Sequence, residues 1–106
     1  MSSDKLTGYL LTPKAIEDLE NIWRYSAETW SVDQADIYID GLVQLFDGLV
    51  QTPLMARERP EFFPPVRIQI HQSHLVIYKV EADHILIVRV LGGKQNWFDV
   101  LHSTEL

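Results

Sequence analysis

The sequence predicts an α+β fold, a helical hairpin packed on one face of a mainly antiparallel sheet in the order β-α-α-β-β-β. Three observations predict it. Two adjoining stretches carry apolar residues at helical spacing, three segments rich in β-branched residues follow at hairpin spacing, and a proline-punctuated connection of 13 residues separates the two halves.

Residues 1–7 are short and polar and are expected to form a flexible N-terminus. Gly8 to Leu11 (GYLL) reads as a first strand, ended by Thr12-Pro13. That dipeptide starts a helix: Thr12 caps free backbone N–H groups, and proline at the first helical position loses no hydrogen bond. Ile16, Leu19, Trp23, Ala27 and Trp30 then give an apolar stripe on a helix of about 17 residues. Ser31 to Gln34 (SVDQ) has the form of a capping box, with Asp33 and Asp36 at the positive end of the helix dipole. Ala35, Tyr38, Ile39, Leu42, Leu45, Phe46 and Leu49 set an amphipathic helix that stops before Pro53. With almost no loop between them, the two helices form an antiparallel hairpin. Ile37, Gly41, Gln44 and Gly48 lie on a flank beside the second stripe. Each glycine costs about 0.5 to 1 kcal/mol relative to alanine in a helix. Either close packing within the chain offsets that cost, or a partner docks on Ile37 between two bare turns.

Pro53 to Pro65 (PLMARERPEFFPP) reads as a strap held down by Leu54, Met55, Phe62 and Phe63. Val66 to Leu91 then forms three antiparallel strands divided at Gln72-Ser73 and Ala82-Asp83. Symmetric pairing sets His71 opposite His74, Gln69 opposite Val76 and Arg67 opposite Tyr78. Through the second link it sets Val80 opposite Ile85, Tyr78 opposite Ile87 and Val76 opposite Arg89, with a one-residue bulge as the alternative. One face then carries Val66, Ile68, Ile70, Leu75, Ile77, Leu86, Val88 and Val90, and is expected beneath the helices, with Lys79 snorkelling to the rim. A slip of one residue would forfeit that burial, worth roughly 1.5 to 3 kcal/mol per side chain. Arg67, Gln69, His71, His74, Tyr78 and Arg89 share the opposite face, expected to be open. Gly92-Gly93 marks a turn, and Trp97, Phe98 and Leu101 close the core edge. The whole reads as one domain, 1–106: an N-terminus (1–7), strand plus hairpin (8–52), loop (53–65), three-strand meander (66–91) and C-terminal tail (92–106).

The formal net charge of −6 sits in one half of the chain. From Thr12 to Thr52, eight acids face only Lys14 and Arg24, which alone gives −6, and the remainder is neutral. This balance opposes direct nucleic-acid binding, which draws on dense lysine and arginine. Without cysteine there is neither a disulfide framework nor a thiolate metal site. The cross-strand pair His71 and His74 lacks a third ligand, so no metal or other cofactor is expected. No long apolar run or signal segment occurs, and the expectation is a soluble, cytoplasmic protein with no membrane association. Arg67, Tyr78, Arg89, His71 and Lys94 on one face have the residue types for phosphodiester chemistry. Such side chains on an open sheet serve partner binding more often, so no catalytic residue is assigned.

Two longer stretches carry a resemblance: YLLTPKAIEDLENIWRYSAETWSVDQADIYIDGL and PVRIQIHQSHLVIYKVEADHILIVRVLGGKQNW. Between Tyr9 and Trp97, the chain resembles the ParE toxins of the RelE/ParE superfamily. The strongest pieces are LTPKAIEDLENIWRY, SHLVIYKV and IVRVL before the final tryptophan.

The resemblance implies a RelE/ParE-like fold and a toxin of a type II toxin–antitoxin system that inhibits DNA gyrase. It also implies a hetero-oligomer with a ParD-like antitoxin bearing a ribbon-helix-helix. RelE relatives instead cut mRNA on the ribosome, using an arginine early in the third strand, a basic residue after the last strand and a tyrosine or histidine in the tail. Leu75, Lys94 and Val100 correspond here, so only the middle requirement is met. Many ParE-like chains have a histidine after the last strand, followed by arginine and aspartate, where this chain has Gly92, Lys94 and Asn96. Three readings follow: a non-enzymatic gyrase inhibitor, a ribosome-dependent endoribonuclease, and a degenerate, non-toxic antitoxin-binding subunit. The positions expected to bind antitoxin or target are Trp30, Ile37, Gly41, Arg67, Arg89, Lys94 and Trp97, with antitoxin acids near Arg67 and Arg89.

Overall fold

Thr12 and Ser31 start the two long helices as the sequence predicts. Thr12 Oγ1 accepts from Ala15 N and Ser31 Oγ from Gln34 N, both at 3.0 Å. The computed structural model describes residues 6–103. Helix α1 runs Pro13–Thr29 and α2 Val32–Gln51. Strands β1 (Tyr9–Leu11), β2 (Glu58–Arg59), β3 (Val66–His71), β4 (His74–Val80) and β5 (Ile85–Gly92) form one sheet in the order β1-β5-β4-β3-β2. Only β1 runs parallel to its neighbour, β5. A short helix, α3 (Trp97–His102), was not expected from the sequence. The flexible start expected for residues 1–7 lies, for 1–5, outside the described residues, while Thr7 donates its N–H to Asp83 O at 2.8 Å. Among the described residues, no helix is long and apolar enough to cross a membrane.

The β3–β4 register is the predicted one, with Arg67 opposite Tyr78 and His71 opposite His74. The next pair departs from symmetry. Tyr78 faces Ile87 but Ile77 faces Arg89, so Val88 is the extra residue of a β-bulge and Val76 pairs with Val90, not Arg89.

The helices cover the face opposite to the one expected. Val76, Tyr78, Ile85, Ile87 and Val90 pack beneath Ala15, Leu42, Phe46 and Leu49. The face of Val66, Leu75, Ile77 and Val88 is closed instead by Phe62 and by Leu101 of α3. Both faces of β4 and β5 are apolar, as suits central strands buried on two sides. Polar residues on β3 were therefore misleading: β3 lies toward one side of the sheet, whereas α1 packs against β5 near the other. The expected open face does not exist as such.

Two local expectations also change. The inward side of α1 carries Ala15, Leu19 and Ile22, while Ile16, Trp23 and Trp30 lie exposed on its flank, where Trp23 Nε1 donates to Asp36 Oδ1 at 2.8 Å. Of the four residues expected to hold the strap down only Phe62 is buried, whereas Leu54 and Met55 are exposed and Phe63 is 94% exposed. Polar bonds hold the strap instead: buried Tyr78 donates its hydroxyl to Pro53 O at 2.9 Å, Arg67 reaches Ala56 O at 2.6 Å, and β2 pairs with β3. At the far end Gly93 N donates to Ser73 O at 2.8 Å, and a Cβ at Gly93 would sit 3.3 Å from that oxygen. The close approach explains a glycine there and ties the turn after β5 to the β3–β4 turn.

Candidate partner-binding groove

Beside the hairpin, the inward edge of α1 and the β3–β4 turn stand apart and leave an open groove of about 610 Å³. Asp18, Ile22 and Tyr25 line it from α1, at the spacing that puts them on one helical stripe. Trp30 and Gln34 close the end where the helices join, Tyr38 lines it from α2, and Gln72, Ser73 and His74 form the opposite wall. Trp30 is 73% exposed, and Tyr25 is also exposed. Among the described residues, the lining includes no lysine or arginine.

Two hydrogen-bonded assemblies shape this groove. In the first, Arg89 Nε and the terminal Nη2 donate to the two carboxylate oxygens of Asp18 at 2.8 and 2.9 Å, and Val90 N donates to Asp18 Oδ2 at 2.9 Å. This forked pair crosses from β5 to α1 and fixes the base of the groove. The hydrogen bonds that Asp18 accepts hold the Arg89 guanidinium charged, raising its pKa above the ordinary arginine value. In the second, the Tyr38 hydroxyl makes a short hydrogen bond with His74 Nδ1. Its ring stands edge-on to His71 at 5.7 Å and tilted to His74 at 5.3 Å. Burial, and then His71, lower the pKa of His74, and burial raises that of Tyr38. Both are neutral near pH 7, so Tyr38 donates and His74 Nδ1 accepts. His71 Nε2 is buried with no hydrogen-bond partner.

Of the seven residues expected to bind a partner, Trp30 alone lines the groove; Lys94 is exposed on the turn beside groove residue Gln95. Ile37, 63% exposed, lies on the outer flank of α2. Gly41 packs within the chain, its missing Cβ 3.5 Å from His71 Nε2, whereas a Cβ at Gly48 would meet nothing within 4 Å. Trp97 is half-buried beside Phe62. Arg67 and Arg89 do not share an open surface, for one is bound to Ala56 O and the other to Asp18. Antitoxin acids beside both arginines would have to compete with these internal bonds, most of all at Arg89, whose charge Asp18 already balances. Sequence reasoning passed over Asp18, Tyr25, Tyr38 and His74. A signal for the first two existed in the stripe 18-22-25, which runs beside the apolar one and ends in an aromatic residue.

No group of three or more His, Cys, Asp or Glu side chains among the described residues is placed to hold a metal ion. Nor do the candidate residues for phosphodiester chemistry converge. His71 and His74 meet Tyr38 on one wall, while Arg67 is bonded to Ala56 O and Arg89 to Asp18.

The family described as the ParE toxin of the type II toxin–antitoxin system, parDE, matches residues 9–97. The chain belongs to the ParE toxin family. It is 36% identical to Toxin ParE1 of Mycobacterium tuberculosis (strain ATCC 25618 / H37Rv) over 89 residues, which cover 83% of this chain and 91% of that one. Toxin ParE1 of Caulobacter vibrioides is 32% identical over 88 residues (83% and 91%), and Toxin ParE of Escherichia coli 29% identical over 92 (86% and 89%). A solved structure of the chromosomal ParDE TA system from P. aeruginosa superposes with a TM-score of 0.73 at 22% identity, covering 85% of this chain and 98% of that chain. The α+β fold with its helical hairpin on one sheet face is thus a ParE-type fold.

Proposed function

We propose that this ParE-family chain is a non-enzymatic toxin that inhibits DNA gyrase in the cytoplasm by binding it. A ParD-like ribbon-helix-helix antitoxin would neutralise it, and the groove between α1 and the β3–β4 turn is where that antitoxin docks. Family membership over residues 9–97 carries the reading. The groove supports the docking part, because exposed Trp30 and Tyr25 beside carboxamide and hydroxyl groups suit a polypeptide segment that brings an apolar anchor. Ordering of that segment on binding would offset part of the affinity.

Ribosome-dependent mRNA cleavage is the less supported reading. Catalysis of phosphodiester cleavage needs cations and a proton carrier aimed at one point. Here both arginines are bound within the fold, and Leu75, where the ribonuclease branch has arginine, is buried.

Induction of the chain without antitoxin tests the proposal. Growth arrest with gyrase-dependent DNA breaks is the expected result. Cleaved transcripts on ribosomes without such breaks would overturn it, and unimpaired growth with retained antitoxin binding would leave only the antitoxin-binding half.

A further inference from the structure

The β3–β4 turn is one wall of the groove, and few bonds fasten it. Ser73 O accepts from Gly93 N at 2.8 Å, and on the helix side the Tyr38 hydroxyl bonds to His74 Nδ1 with His71 O at 3.5 Å. The turn itself places Gln72 at φ 53°, a left-handed conformation that favours glycine or asparagine. Two histidines therefore face each other across the end of a hairpin, and one of them anchors that end to α2 through a neutral ring.

Among the described residues, none that His74 touches directly favours a proton on it. From β3 it faces His71, whose buried Nε2 lacks a hydrogen-bond partner. From α2 it faces the Tyr38 hydroxyl, and from the turn Ser73 Oγ at 3.4 Å. The carboxylate acting on it is Asp18 of α1, but both oxygens of Asp18 are bound to Arg89 of β5 and to Val90 N. Lys94, exposed on the turn after β5, adds no acid. A proton on His74 would make an imidazolium half out of water beside a second imidazole, and with no free carboxylate to pair with. Moving the turn into solvent relieves both costs.

We propose that the Tyr38–His71–His74 cluster is a proton-sensitive latch, which on protonation of His74 releases the β3–β4 turn from α2 and removes that wall of the groove. A partner seated against the wall then binds more weakly in acid. This last consequence rests on the reading that the antitoxin docks in the groove; the latch itself does not.

Histidine-ring NMR and hydrogen exchange of residues 70–76, corrected for intrinsic rates, test the latch on the wild-type chain at pH 7.5 and 5.5. The expected result is a His74 ring that titrates below the usual value of about 6.5, with a loss of protection of about ten-fold or more in that segment at the lower pH. His74→Gln keeps an acceptor for Tyr38 and does not titrate, so its protection should be the same at both pH values. Wild-type protection that ignores pH, or a His74→Gln chain that opens as the wild type does, would overturn the proposal. A ParD-like ribbon-helix-helix antitoxin serves as the binding probe. Release from wild type but not from His74→Gln at pH 5.5 supports the consequence, and equal retention by both overturns it. Failure to bind at either pH counts against the antitoxin reading, and the exchange measurements still decide the latch.

Discussion

Removing the carboxylate of Asp18 should be the most damaging single change at the groove. In Asp18→Ala the Arg89 guanidinium loses both forked hydrogen bonds and Val90 N–H loses its acceptor. The two side chains are 11% and 14% exposed, so the stranded cation is mostly out of water. Breaking a buried pair by deleting one partner costs about 3 to 5 kcal/mol, and the remaining solvent contact favours the lower end, about 3 kcal/mol. That is a large share of the roughly 5 to 15 kcal/mol that holds a domain folded. With a urea m-value of about 1.5 kcal/mol per molar, the midpoint should fall by about 2 M. Asp18→Asn, which still accepts one or two of the three bonds, should lose about half as much. The double variant Asp18→Ala/Arg89→Met removes the stranded charge and should recover part of the loss. A midpoint shift below about 0.5 M for Asp18→Ala would refute the reasoning, as would a double variant no better than the single one.

Three further outcomes are expected. Gly48→Ala should raise stability by about 0.5 to 1 kcal/mol in thermal denaturation, since the new methyl meets nothing within 4 Å; no gain would contradict the free space seen there. Trp30→Ala, a change at an exposed rim residue, should leave stability within about 0.5 kcal/mol. It should nevertheless weaken antitoxin binding by about 2 kcal/mol, roughly thirty-fold, in calorimetry, if Trp30 is an anchor of the interface. Stability should also fall with acidification below about pH 6.5. Because the folded His74 has a lowered pKa, the unfolded chain takes up that proton first. The contribution is complete above the unfolded value and is lost as pH falls through the folded one, so denaturation midpoints flat from pH 7.5 to 5 would exclude it. Exposed Glu61 and Asp83, whose pKa values are lowered by hydrogen bonds, act only at still lower pH and do not confuse this window.

Much of the fold was legible because local chemistry and tertiary packing agree. Thr12-Pro13 and Ser31 start helices by satisfying free N–H groups within three residues, and those rules need no knowledge of the rest of the chain. The β3–β4 register, and the β4–β5 register as far as Tyr78, were readable for the same reason, since short links force neighbours to pair, whereas the bulge beyond Tyr78 shifts the rest. Which face the helices choose is a different kind of question. Both faces of β4 and β5 are apolar, so alternation gives no answer there, and the polar residues of β3 gave a false one. The short helix α3 was hidden because six residues, with Trp97, Phe98, Val100 and Leu101 apolar, are too few to set a period. The groove was hidden for a further reason. Asp18 and Arg89 are 71 residues apart and meet only once the hairpin lies on the sheet, whereas Trp30 could be singled out as a large aromatic residue at a helix end.

The bulge at Val88 and the Asp18–Arg89 pair are best understood as one device. An extra residue in β5 breaks the regular ladder against β4 and turns Val90 beneath the helices. The backbone N–H of Val90 is bonded by Asp18 from α1. The same carboxylate takes the Arg89 side chain, so a single acid satisfies an irregular backbone and neutralises a cation. Asp18 and Val90 both line the groove, and the bulge therefore sets the height of its floor. A cost follows for any chemistry at this face, because the arginine a nuclease would aim at a phosphate is already committed to holding helix to sheet. What the arrangement leaves exposed is aromatic and uncharged, a surface suited to another polypeptide.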